Sequence, residues 1–227
     1  FDKRELIARV NTLLSLRDAI EKNNSLLVMQ KELEIAKRIL QSILPDGPPV
    51  MKKLAIYTRY LPMDRVGGDF FDFHVLDEDR IGVFTADVSG HGVPSAIIAA
   101  MLKVAFSLQK SIAREPDELL REINHILRGK FGKSFITAIY AYIDMVAGTL
   151  SGSNAGHFPI VIHRKQDGTI HEFMPKGWAI GIRGEPMLTR EEFALAAGDR
   201  IVLFTDGIIE ARNKAGDLFG YETFLGH

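Results

Sequence analysis

Three segments of the sequence share one design, a β-rich run that arrives at an aspartate beside a glycine-containing turn: residues 66–72 (VGGDFFD), 84–92 (FTADVSGHG) and 203–208 (LFTDGI). An aspartate at a strand end can direct its carboxylate out of a sheet, and nearby glycine lets the backbone turn sharply and approach a ligand closely. A single Asp-Gly pair is ordinary turn chemistry. Three such acids together, Asp69, Asp87 and Asp206, would on converging make a hard, oxygen-only site suited to Mg²⁺ or Mn²⁺. Two metal ions about 4 Å apart can activate a bridging water and neutralise charge on a transferring phosphoryl group, so phosphate-ester hydrolysis at such a site needs no protein nucleophile. The chain has no cysteine, which excludes a thiolate nucleophile, a thiolate zinc site and a disulfide framework.

These acids need elements to carry them. Residues 3–43 contain neither Pro nor Gly, and apolar residues recur at helical spacing, which predicts one or two long helices. Two heptad-like seams run along this stretch: Leu13, Leu16, Ile20, Asn23 and Leu27, then Leu26, Met29, Leu33, Ala36, Leu40 and Ile43 in a register shifted by one residue. Either a helix lying on its own domain or a dimeric linker fits them. The PDGPP run at 45–49 must end the helix and marks a domain boundary. Beyond it, β-rich runs at 54–60, 80–86, 135–143 and 200–205 are interrupted by two predicted helices, 93–109 and 116–127. The first is small and apolar nearly all round, which implies burial on more than one side; the second has Pro116 suited to its first turn. Residues 135–174 read as a meander of antiparallel strands with turns at 147–148, 154–156 and 166–168. Strands clustered between helical blocks predict an α+β layered domain rather than a parallel sheet.

With 28 Lys and Arg against 29 Asp and Glu, a net charge of −1, the chain has no overall basic field for nucleic acid or an anionic membrane surface. It holds no apolar stretch of about 18 residues or more and no compact apolar signal segment, so a cytoplasmic protein is expected. It opens at Phe1 without an initiator Met, which reads as a segment of something longer.

The motifs GGDFFD, ADVSGHG, NAGH and TDGI, in this order and spacing, resemble the SpoIIE/RsbU branch of the PPM metal-dependent serine/threonine protein phosphatases, over about residue 33 to the C-terminus. The resemblance implies a four-layer sandwich, two central antiparallel sheets flanked by helices, here with a long N-terminal helical linker. It implies a centre of two Mn²⁺ or Mg²⁺ ions in which Asp87 bridges the metals, the Val88 carbonyl joins one of them, and Asp69 and Asp206 complete the set. It also implies a substrate: a phosphorylated anti-sigma-factor antagonist of the STAS fold. Asp72, three residues beyond Asp69, faces away from it if the strand is regular, so a structural role is expected. His91, with Gly90 and Gly92 just before a helix N-terminus, could lie near a phosphate, although an outer or structural place is favoured. His157 of NAGH has no chemical assignment and is expected in a turn between two strands.

Family members usually close with a glycine-rich segment and an Asp-Asp pair on a terminal strand, one of the acids being a metal ligand. This sequence stops at Gly226-His227 without it, which leads one to expect an under-coordinated metal. Residues 1–17, with Leu13-Leu14-Ser15-Leu16-Arg17, resemble the last helix of a response-regulator receiver domain. The expected organisation is therefore a receiver tail at 1–17, a coiled-coil-like linker at 18–44 that pairs two copies of the chain, and the phosphatase domain at 45–227. Two rival readings compete with this one. Residues 65–71 superficially resemble the GGDEF signature of diguanylate cyclases, but Phe70 stands where their second acid belongs and the other motifs have no place in that pattern. A non-catalytic, phosphatase-like interaction module would have no need of three retained aspartates, but the missing terminal acid pair keeps that alternative open.

Overall fold

A computed structural model describes residues 3–61, 67–132, 134–182 and 184–226, without the side chains of 33, 36, 37 and 39–41. Two compact units are present, residues 1–39 and 40–227. The described residues of the first are one helix, α1 (Lys3–Gln41), whose last two residues are counted with the second unit. Its pitch brings Arg9 to Glu5 and Arg17 to Glu21 across single turns, at 2.6 and 2.8 Å. Leu13, Leu16, Ile20, Leu26, Leu27 and Met29 of the two seams are all exposed. Phe1, the side chains of Leu33, Ala36 and Leu40, Val66 and His227 lie outside the described residues. The helix stops before the prolines at 45–49, as the lost amide donors require.

The second unit is layered. One antiparallel sheet takes the order β1-β2-β3-β4-β7, with β1 (Phe70–Val75), β2 (Arg80–Val88), β3 (Ile136–Asp144), β4 (Thr149–Ala155) and β7 (Glu191–Ala194). The other has the order β6-β5-β8, with β5 (Ile160–His163), β6 (Ile170–Phe173) and β8 (Arg200–Val202). Side-chain alternation on β2 and β3 divides the core in two. Phe84, Ala86 and Val88 with Ala138 and Tyr140 face the helices α2 (Val93–Ser107) and α3 (Pro116–Leu127). Ile81, Ile139, Ala141 and Ile143 face the other way and meet Ile160, Ile162 and Phe173 of the second sheet. Each such fully buried Ile or Phe contributes roughly 1.5–3 kcal/mol. Past the second sheet, the short helix α5 (Tyr221–Leu225) sets the Tyr221 and Phe224 rings 6.2 and 4.5 Å from that of Phe204.

The two-sheet α+β architecture agrees with expectation, and three local readings are corrected. Residues 54–60 form no strand; Leu54 and Ile56 pack on the inter-sheet core, so the apolar alternation reflects one-sided burial without a ladder partner. The run at 200–205 pairs only over Arg200–Val202. The expected meander is instead two hairpins in different sheets: β3–β4 turns at Gly148 (φ 67°) and β5–β6 at Gly168 (φ 72°), while residues 154–157 carry the chain from one sheet to the other. A glycine-bearing break between two apolar runs looks the same in sequence whether the runs pair or part. Helix α2 also ends two residues short of its expected limit.

Candidate metal centre

Asp87 stands near the end of β2, on the face turned toward the second sheet, the side opposite Phe84, Ala86 and Val88. The antiparallel register that pairs Phe70 with Ala86 continues past β1: the Val88 amide donates to the Gly68 carbonyl at 3.3 Å, which sets Asp69 beside Asp87 on the same face. Gly68 is needed for this approach, since a Cβ there would lie 2.6 Å from the Val88 oxygen. The same contact shows that the Val88 carbonyl points to the Gly68 side of the strand. Asp206 arrives from the second sheet, in the first turn of the short helix α4 (Asp206–Ile209) that follows β8. The three aspartates offer carboxylate oxygens that all lie within 4.8 Å of one another. Two sheets thus deliver three acids to one end of the space between them.

Charge at this point is unbalanced, because no ion pair involves any of the three among the described residues. Burial, with the charges of Asp69 and Asp206 next in weight, pushes the Asp87 carboxyl up to about 6. A smaller part of that rise comes from Glu210, one turn beyond Asp206, while the Val88 amide works against it. Asp69 is raised by burial and by Asp206, and the Thr205 hydroxyl offsets part of the effect. Tyr60 donates to the Asp69 backbone carbonyl at 3.4 Å, and burial together with the Asp69 charge pushes its phenol up to about 12. Half-buried carboxylates that repel one another, with only oxygen donors, fit a hard divalent cation, which would supply the missing positive charge.

The other flagged residues part company with this cluster. Asp72 lies on the helix-facing side of β1 and accepts a 2.6 Å bond from Lys103 of α2, the structural role expected of it. His91 is exposed and outside the converging set. The Gly90 and Gly92 that flank it have φ of 96° and 81°, conformations that favour glycine and turn the chain into α2. His157 lies in the connection between β4 and β5, between two strands as expected, but these belong to different sheets; it is 3% exposed, with its ring bonded on both sides. Sequence reasoning missed Tyr60, Thr205 and Glu210, which interact with the acids; Thr205 adjoins Asp206 in sequence, and Glu210 lies just past the end of the short helix that Asp206 opens.

The SpoIIE family profile, described as Stage II sporulation protein E, matches residues 77–227. The chain is 31% identical over 191 residues to phosphoserine phosphatase RsbU of Bacillus subtilis, a match taking in 84% of this chain and 57% of that protein. To phosphoserine phosphatase RsbP of the same organism it is 28% identical over 186 residues, 80% of this chain and 46% of the relative. It therefore spans about half the length of these curated relatives. Among solved structures, the SiaA-PP2C domain of Pseudomonas aeruginosa shares the fold with a TM-score of 0.72 at 23% identity, over 89% of this chain and 82% of that one. The RsbU and RsbW domains of a Mycobacterium tuberculosis protein match with a TM-score of 0.57 at 28% identity, over 66% of this chain and 42% of that one.

Proposed function

The chain belongs to the SpoIIE family, and on that premise we propose that it is a metal-dependent protein serine/threonine phosphatase whose centre is built on Asp69, Asp87 and Asp206. The observation that carries this reading is the meeting of the three carboxylates within 4.8 Å with no cation of the chain's own to balance them among the described residues. Asp69, Asp87 and Asp206 would hold the metal through their carboxylates, Asp87 as the acid that meets the charge of both others, and the Val88 carbonyl would be a further oxygen ligand. Mn²⁺ or Mg²⁺ bound there would supply water activation and neutralise charge on the phosphoryl group. The chain's own part is to hold the acids at fixed spacing on two sheets.

The substrate in this proposal is a phosphoserine or phosphothreonine on a STAS-type anti-sigma-factor antagonist. The catalytic unit would be governed by a receiver domain whose tail is residues 1–17, through a linker at 18–44 that pairs two copies along the exposed seams of α1. Such a signalling enzyme would work in the cytoplasm; among the described residues no helix is long and apolar enough to cross a membrane. The test is hydrolysis of p-nitrophenyl phosphate and of phosphorylated candidate antagonists, with and without Mn²⁺, by the protein and its Asp87→Asn variant. Mn²⁺-dependent turnover that the substitution abolishes is expected; turnover unchanged by Asp87→Asn would overturn the site.

A further inference from the structure

His157 is one of the few buried polar residues, and both ring nitrogens are engaged. Nε2 lies 3.0 Å from the Phe204 carbonyl and Nδ1 lies 3.0 Å from the Thr137 hydroxyl. A carbonyl can only accept, so Nε2 carries the proton; in the neutral ring Nδ1 then accepts, and Thr137 must donate. Burial favours that neutral form and pushes the ring down to about 4. The imidazole itself is held in place from its own backbone: the Asn154 side chain accepts from the His157 amide at 2.7 Å and donates to the His157 carbonyl at 2.9 Å.

What these bonds join matters for the acids. Thr137 is the direct cross-strand partner of Asp87 in the first sheet. Phe204 is two residues before Asp206 and two beyond the end of β8, in the segment that brings that acid in from the second sheet. β8 pairs with its neighbour only as far as Val202, so the ladder has ended before Asp206 is reached. The ring of His157 is a hydrogen-bonded bridge from that unladdered segment to β3, on one side of Asp87; the Thr205 hydroxyl makes a second link, to Asp69 on the other side. We propose that His157 is a positioning residue of the metal centre, setting the separation of Asp206 from Asp87 by clamping the Phe204 carbonyl to Thr137. The proposal rests on the reading of the three acids as a cation site. It also accounts for the NAGH motif, in which Asn154 fixes the loop, Gly156 (φ 73°) turns it between sheets, and His157 ties the sheets together.

Three variants separate positioning from mere support. His157→Gln keeps a donor where Nε2 lies, His157→Asn keeps only the nearer acceptor, and Thr137→Val removes the hydroxyl while retaining the branched shape. Mn²⁺ affinity by calorimetry, melting in EDTA, and amide exchange at Glu210, whose N–H bonds the Asp206 carbonyl at 2.8 Å, are the readouts. Loss of a group that orients metal ligands lowers metal affinity roughly 10–100-fold. That loss is expected for His157→Asn, with faster exchange at Glu210 and little change within the β2–β3 ladder, and His157→Gln should stay within about threefold of the parent. A His157→Asn protein that melts lower yet binds Mn²⁺ and exchanges Glu210 as the parent does would reduce His157 to a brace and overturn the proposal. Should that variant not fold, Thr137→Val must show weaker Mn²⁺ binding and faster Glu210 exchange, or the proposal fails. If the parent itself takes up no Mn²⁺, the cation reading falls, while the exchange contrast still decides whether His157 holds the Asp206 segment.

Discussion

Replacing Asp87 by Asn should make the metal-free protein more stable while destroying its use for a cation. Asp87 rises from 3.8 to about 6, some two pH units at about 1.4 kcal/mol each, which would be roughly 3 kcal/mol for a group shut off from solvent. Repulsion alone is of that order: unit charges within 4.8 Å of each other repel by about 3.5 kcal/mol or more at an effective dielectric near 20. Asp87 is only half-buried, and solvent screening brings the expected gain down to roughly 1–2 kcal/mol. The sign follows from proton linkage. Below pH 4 both the folded and unfolded chains hold the proton, and nothing is gained. Between about 4 and 6 the unfolded chain releases it first, so the parent loses stability as pH rises and stays lower above 6. Asn, which does not ionise, escapes that loss. Thermal melts in EDTA at pH 8 should place Asp87→Asn roughly 2–6 °C above the parent, a difference that fades toward pH 4. Saturating Mn²⁺ should reverse the order, because only the parent gains binding free energy. An Asp87→Asn protein that melts at or below the parent in EDTA at pH 8, or whose gain is equal at pH 4 and 8, would refute the convergence of unbalanced acids.

Asp72→Ala would strand Lys103, which is 30% exposed, without its 2.6 Å partner; urea denaturation should show a loss of about 1–3 kcal/mol, and Mn²⁺ affinity should hold, since Asp72 faces away from the site. Gly68→Ala would press a Cβ within 2.6 Å of the Val88 oxygen and 3.2 Å of the Ser95 Cβ; a cost of about 1–3 kcal/mol and weaker Mn²⁺ binding are expected together, and an undisturbed calorimetric titration would count against the tight fit. Sedimentation should find the chain dimeric at micromolar concentration and Leu16→Glu/Ile20→Glu monomeric; a monomeric parent would remove the paired-helix proposal.

Which acids matter was readable from local chemistry. Each of Asp69, Asp87 and Asp206 sits where an extended run meets glycine, and the period of two along a strand already put Asp72 on the other face, where Lys103 receives it. Helices α2 and α3 were legible because their apolar spacing and Pro116 are local signals too. The sequence could not reveal which strands pair. The break at 154–157 looked like one more hairpin turn, yet it carries the chain between sheets, and the run at 54–60 alternates like a strand without a partner. Pairing depends on residues far apart in the chain, and local alternation reports only that one face is buried. The same limit hid His157, whose ring joins Thr137, 20 residues before it, to Phe204, 47 residues after it. It also hid the rise of Asp87 toward 6, which needs burial and two acids from other segments at once. Residue types and turns determined what chemistry the acids could do; only the packing of the two sheets against each other brought their oxygens within 4.8 Å, because convergence is a property of the long-range fold.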